Sequence, residues 1–311
     1  MILGNIFGPD RRRICSAAAA VIVATSLVAG CGGGSRIDGS SATLKRLARV
    51  NVVVTFSTLG AIVDDVGADQ INVVSLVPVG AAPETYEPTP ADLIALSHAD
   101  VVFENGSGLE AWMDRLLRSA GGDKTPIALS GSTDPAHAGN PHLWLDPLLA
   151  SKYATTVAGV LERADPSHAN AYRARLTVTL AKYRALDRWI ARKVATIPPG
   201  QRAMICFHDA WYYFDNQYGI RDVGAIEPSP GQEPSAGAFA QLIAAARANH
   251  VHAIFAEPQF SPKLAHQLAE GAGITTVTDL YDDTLGATPA LSTYDGLMRY
   301  DVERIVEALR S

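Results

Sequence analysis

Short, uninterrupted apolar runs alternate with stretches of helical spacing along most of this chain, and that alternation constrains the fold more than any other feature. In the first half the runs are Val50 to Phe56, Ile71 to Val77, Asp100 to Phe103 and Pro126 to Leu129; in the second they are Arg202 to Phe207, His252 to Ala256 and Ile274 to Asp279. Strands that are apolar on both faces belong to parallel sheets covered by helices on both sides. Helical patterns fill the intervals, and one start is explicit: Thr89-Pro90-Ala91-Asp92 places a cap, a proline at the first helical position and an acid at the third. The middle differs. Asp165 to Ile197 holds no glycine, and Tyr172, Leu176, Leu180, Tyr183, Leu186, Ile190 and Val194 recur every three or four residues. Such a helix would run about 45 Å, at 1.5 Å per residue, before Pro198-Pro199-Gly200 ends it. The expected fold is therefore α/β: two parallel-sheet lobes, residues 49–164 and 198–311, joined by one long α-helix at 165–197, with a ligand cleft between them.

The N-terminus reads as a secretory signal. Arg11, Arg12 and Arg13 precede an apolar run from Ile14 to Gly30, shorter than the ~20 residues a membrane span needs. The run closes Leu27-Val28-Ala29-Gly30-Cys31, which resembles a bacterial lipobox. This predicts a signal peptide over 1–30, a lipidated Cys31, and a Gly/Ser-rich tether over 31–48, placing the chain outside the cytoplasm and anchored to the cell membrane. Cys206, in an apolar run, reads as a buried structural thiol. A net charge of −6 and a pI near 5.7 argue against a nucleic-acid partner, and 48 % apolar residues exclude a disordered chain.

Ligands of open α/β sheets bind at the carboxyl ends of the strands. Four polar residues stand there: Glu84, His142, His208 and Asp279, two from each half. Two imidazoles and two carboxylates form a closed set for a divalent transition metal and neutralise its charge. Taken singly, each also reads as a loop carboxylate, a hydrogen-bonded loop histidine or a cap, and no short motif joins them. Asp146, Asp209 and Glu257 are candidates for orienting the imidazoles. His250 and His252 read as structural, and His98, His168 and His266 as surface residues on helices.

Gly80 to Asp114, NPHLWLDP at 140–147, FHDAWYYFDNQYGI at 207–220, Glu233-Pro234-Ser235 and Tyr294 to Met298 together resemble the metal-binding lipoproteins of zinc and manganese ABC importers, the adhesin-like solute-binding family 9. The resemblance runs in order over residues 50–310. It implies two α/β lobes joined by a rigid helix, Zn2+ or Mn2+ as cargo, no catalysis, a monomer, and a separate permease and ATPase as partners; the chain itself has no GxxxxGK[ST] loop. It also implies His142, His208 and Asp279 as the second, third and fourth ligands. Glu84 stands where the family usually has the first histidine, and Ala82 where it has an aspartate. The His-rich loop of many zinc importers is replaced by Ser130 to Asn140, with His137 alone. The alternatives are a metal-dependent hydrolase, should Glu84 leave a three-ligand open site, and a surface adhesin.

Overall fold

The computed structural model describes residues 49–121, 124–131 and 139–311; the expected signal peptide, tether, Cys31 and His137 lie outside them. In the first lobe, β1 (Val50–Val54) is a central strand, flanked by β2 (Ile71–Ser75) and β3 (Val101–Glu104), with the two-residue β4 (Ile127–Ala128) beyond β3. In the second, β5 (Ala203–His208) and β7 (Ala253–Ala256) are central, and β6 (Arg221–Glu227) and β8 (Thr276–Asp279) form the edges. Every pairing is parallel. The two sheets repeat one strand order, β2-β1-β3-β4 and β6-β5-β7-β8.

Helices α1 (Ser57–Gly67), α2 (Pro90–His98) and α3 (Met113–Ala120) belong to the first lobe; α6 (Tyr212–Tyr218), α7 (Ala236–Ala248) and α8 (Lys263–Ala272) belong to the second. The Asp92 carboxylate takes the Thr89 backbone N–H at 2.6 Å, closing the box that starts α2. Between the lobes, α4 (Pro147–Ala164) packs on α5 (Ala169–Val194), which a single 3-10 turn at Pro166–His168 precedes. The 26 residues of α5 give about 39 Å. Its buried stripe is Tyr172, Thr179, Tyr183, Leu186, Ile190 and Val194. Three residues of α5 tie it to Asp65 of α1: Thr179 donates to its carbonyl at 3.0 Å, and Lys182 and Tyr183 donate to its carboxylate at 3.0 and 2.9 Å. On the other side, Tyr218 of α6 donates to Asp187 of α5 at 3.1 Å.

The last helix, α9 (Tyr294–Arg310), lies against α5 and reaches α1. One apolar core therefore runs from the first sheet through α4, α5 and α9 to the inner face of the second sheet. Strand alternation decides which side chains join it. Met204 and Cys206 of β5 and Ala253 and Phe255 of β7 face inward, while Ala203, Ile205, Phe207, Ile254 and Ala256 pack outward under α7 and α8. His208 and Glu257 continue the inward-facing parity, so the period of two already aims both at the cleft.

Candidate metal centre

Four loops at the carboxyl ends of the two sheets meet in the cleft. The β2–α2 loop carries Glu84. The segment after β4 carries His142, which opens a 3-10 turn, Leu143–Leu145, leading into α4; Asp146 caps α4 by accepting Leu148 N–H at 2.7 Å. His208 is the last residue of β5, and Asp283 lies in the segment after β8. One ligand atom from each of Glu84, His142, His208 and Asp283 falls within 4.8 Å of the others. Asp279, expected as the fourth member, is not brought there: it ends β8 with its side chain exposed. β8 is an edge strand, separated by β7 from β5 and so two strand spacings of ~4.8 Å away from it, and a carboxylate must be carried inward past the strand end to reach His208. Leu280 still pairs with Ala256, and the chain then turns in, burying Asp282 and Asp283 completely.

The Nε2 atoms of His142 and His208 are 3.0 Å apart. Glu84 Oε1 lies 3.4 Å from His142 Nε2 and 3.8 Å from His208 Nε2. Asp283 Oδ1 is 3.6 Å from His142 Nε2, and its Oδ2 is 3.8 Å from His208 Nε2. Donors that each sit ~2.1 Å from one ion lie about 3.0 to 3.4 Å apart in octahedral or tetrahedral arrangements, so this cluster already approaches a coordination shell. Three of its oxygens, Glu84 Oε2 and both of Asp283, are buried without a hydrogen-bond partner. Buried carboxylate oxygens without partners are costly unless a cation satisfies them.

Both imidazoles are held in one orientation. Asn140 Oδ1 accepts the His142 backbone N–H at 3.1 Å, which fixes the oxygen on that side; His142 Nδ1, 2.9 Å from the same oxygen, must then donate. Glu257 Oε1 does the same for His208, accepting the backbone N–H at 3.1 Å and Nδ1–H at 2.7 Å. Each histidine thus turns Nε2 to the centre. Of the three residues expected to orient the imidazoles, Glu257 does so directly. Asp209 acts at one remove, its carbonyl accepting from Asn140 Nδ2 at 2.7 Å, and Asp146 is a helix cap.

Residues 52–308 match the family model described as ZnuA, zinc-uptake complex component A, periplasmic. The chain belongs to the ZnuA family. A manganese-binding lipoprotein, MntA, of Halalkalibacterium halodurans is 28 % identical over 307 residues, covering 96 % of this chain and 99 % of the relative. A crystal structure of ZnuA superposes with a TM-score of 0.76 at 30 % identity, over 84 % of this chain and all of that one. The periplasmic zinc-binding protein TroA of Treponema pallidum shares the fold with a TM-score of 0.77 at 24 % identity, over 85 % of this chain and all of TroA.

In this ZnuA-family chain the charges around the two histidines differ. Burial pushes the His142 imidazolium down, and its Glu84 contact does not make up the loss. Burial acts on His208 in the same sense, but the Glu257 and Asp282 carboxylates outweigh it and hold His208 well above the ordinary histidine range. Burial raises the Glu257 carboxyl to about 8, with the Asp282 charge adding to it, and lifts that of Asp283 well above the usual carboxylate range, with the Glu84 and Asp282 charges adding to it. Burial also lifts Glu84, but its contact with His142 and the charge on His208 outweigh it and bring the carboxyl below its usual value. Beside the cluster a cavity of about 420 Å³ is lined by Glu84, Asn140, His142, His208, Ser229 and Gln232, giving the donors a route to solvent. Cys206 is free and buried, and burial raises its thiol well above the usual range.

Proposed function

We propose that this chain is the extracytoplasmic receptor of an ABC importer, capturing one divalent transition metal ion, Mn2+ or Zn2+, between its lobes and delivering it to a membrane permease driven by a separate ATPase. The observation that carries the reading is the convergence of Glu84, His142, His208 and Asp283, from four separate segments of two lobes, with partnerless carboxylate oxygens facing paired Nε2 atoms. Family membership and the manganese- and zinc-binding relatives support it. The two imidazole nitrogens and four carboxylate oxygens suit a cation that takes up to six mixed ligands, such as Mn2+, while the Irving–Williams order favours Zn2+ in free competition. Glu84 lies close enough to both histidines to close the site, which argues against the open coordination position a hydrolase needs.

The reading extends to the N-terminus: residues 1–30 as a signal peptide, Cys31 as the lipid anchor, 31–48 as a tether, and a monomer at the membrane surface. No helix among the described residues is long and apolar enough to cross a membrane. Elemental analysis of natively purified protein, with titration calorimetry of the stripped chain, tests the proposal. One Mn2+ or Zn2+ per chain is the expected result; absence of metal together with no heat on titration would overturn it.

A further inference from the structure

The two carboxylates of the cluster come from opposite lobes, yet a buried hydroxyl pair stitches their loops together. Thr284 follows Asp283 directly, and its Oγ1 accepts the backbone N–H of Gly80 at 2.7 Å, four residues before Glu84. Ser57, at the start of α1, has its Oγ 3.3 Å from Thr284 Oγ1 and accepts the backbone N–H of Leu285 at 3.0 Å. Thr284 Oγ1 is also 3.1 Å from the Leu285 carbonyl, to which it donates. One arrangement satisfies every group: Ser57 donates to Thr284, which accepts from Gly80 and donates to Leu285. Both hydroxyl residues are buried, so water does not replace these bonds at no cost.

We infer that Thr284 is a positioning residue, clasping the Glu84 loop and the α1 start from the second-lobe side and so fixing the separation of the Glu84 and Asp283 carboxylates across the cleft. The inference rests on the proposed metal-binding function. Thr284 does not touch the ion; it sets how far apart two of the ion's ligands stand. Without its hydroxyl, Gly80 N–H loses its partner and the Glu84 loop is free to drift from Asp283, so a bound ion is released more readily. Ser57 supports the same clasp from the first lobe.

The test measures release of bound Mn2+ or Zn2+ into excess EDTA by stopped flow, beside the thermal unfolding of the metal-free chain. T284V keeps the shape and removes the hydroxyl; T284S keeps the hydroxyl. T284V and S57A are each expected to speed release about tenfold or more, the scale seen when a group orienting a metal ligand is lost. T284S should stay within about twofold of the parent, and the S57A/T284V double variant should release no faster than the worse single one, because both break one cluster. The metal-free unfolding midpoint should fall by only a few degrees in T284V, the scale of a lost buried hydrogen bond. Unchanged release in T284V, T284S as leaky as T284V, or loss of the metal-free fold in both T284V and S57A would each overturn the clasp. A parent chain that binds neither metal removes the functional proposal itself, and the clasp with it.

Discussion

His142 and His208 are the same residue, equally buried, with ring nitrogens 3.0 Å apart, yet their surroundings pull them in opposite directions. His142 rests on the neutral amide of Asn140, and burial lowers its affinity for a proton. His208 rests on Glu257 with Asp282 and Asp283 close by, and these anions hold its proton well past the ordinary range. The first lobe offers a neutral imidazole and one carboxylate; the second surrounds its imidazole with buried acids that share protons with it. A divalent ion entering the cluster therefore replaces a proton chiefly on the second-lobe side, where the charge that compensates it is already buried.

The largest expected effect comes from removing the second-lobe carboxylate. Asp283→Ala should weaken Mn2+ or Zn2+ binding by more than about a hundredfold, since even groups that only orient ligands are worth 10–100-fold. Asp279→Ala, four residues earlier on the exposed strand end, should stay within about twofold. Calorimetric titration of the two variants side by side decides between them, and the opposite ranking would return the fourth ligand to Asp279.

Next is the anion behind His208. For Nε2 to bind metal, His208 must give up its extra proton, so affinity falls as pH drops through the raised value of the metal-free protein. With that value well above 6.5, the decline should already be under way at neutral pH. Glu257→Gln removes the acid that shares a proton with His208, lets the His208 value fall, and loosens the ring. At pH 8 it should cost about 10–100-fold in affinity. Between pH 7.5 and 6 its affinity should fall less steeply than that of the parent. Chelator competition across that range reads both effects, and parallel pH curves for the two proteins would show that Glu257 does not govern the His208 proton.

Asn140 is the first-lobe counterpart, and its loss should matter less. Asn140→Ala frees His142 Nδ1 but removes no charge, so about a tenfold loss without a change in pH slope is expected from the same competition assay. A pH slope altered as in Glu257→Gln would erase the distinction between the two halves.

How much of this was legible beforehand follows the physics of each element. Strands apolar on both faces announced themselves, and so did the long glycine-free helix. β6 did not, because Arg221, Asp222 and Gly224 interrupt an edge strand whose outer half is exposed, leaving no alternation to read. α4 escaped because its Ala/Thr-rich middle dilutes the apolar spacing. His208 stood out through its strand-end position, His142 through the resemblance carried by NPHLWLDP, and Glu257 only as an acid near the cleft. Asp283 was hidden by the rule that placed the others: a residue at the end of an edge strand is too far out, and how many residues the chain needs to turn inward is a property of the loop. The adjacent acids Asp282-Asp283, just past the end of β8, were the available signal.

The smallest change in affinity, and the sharpest test of the comparison, is expected at Glu84. Among the described residues its carboxylate is the one anionic donor from the first lobe, and Oε2 has no hydrogen-bond partner. Glu84→Ala would simply open a position; Glu84→His exchanges a hard oxygen donor for an imidazole while keeping a ligand in place. Binding of Zn2+ should then stay within about tenfold of the parent, because zinc accepts nitrogen and oxygen donors alike. Binding of Mn2+ should weaken more, because the set loses up to two oxygens and the cation prefers them. The ratio of the two affinities, measured by competition in one buffer, therefore moves toward zinc even though total binding changes little. It should also become more sensitive to acid, since a third imidazole competes with protons where a carboxylate lowered by His142 and His208 does not. An unchanged ratio would mean that Glu84 contributes charge without contacting the ion, and that the first lobe grips its cargo through His142 alone.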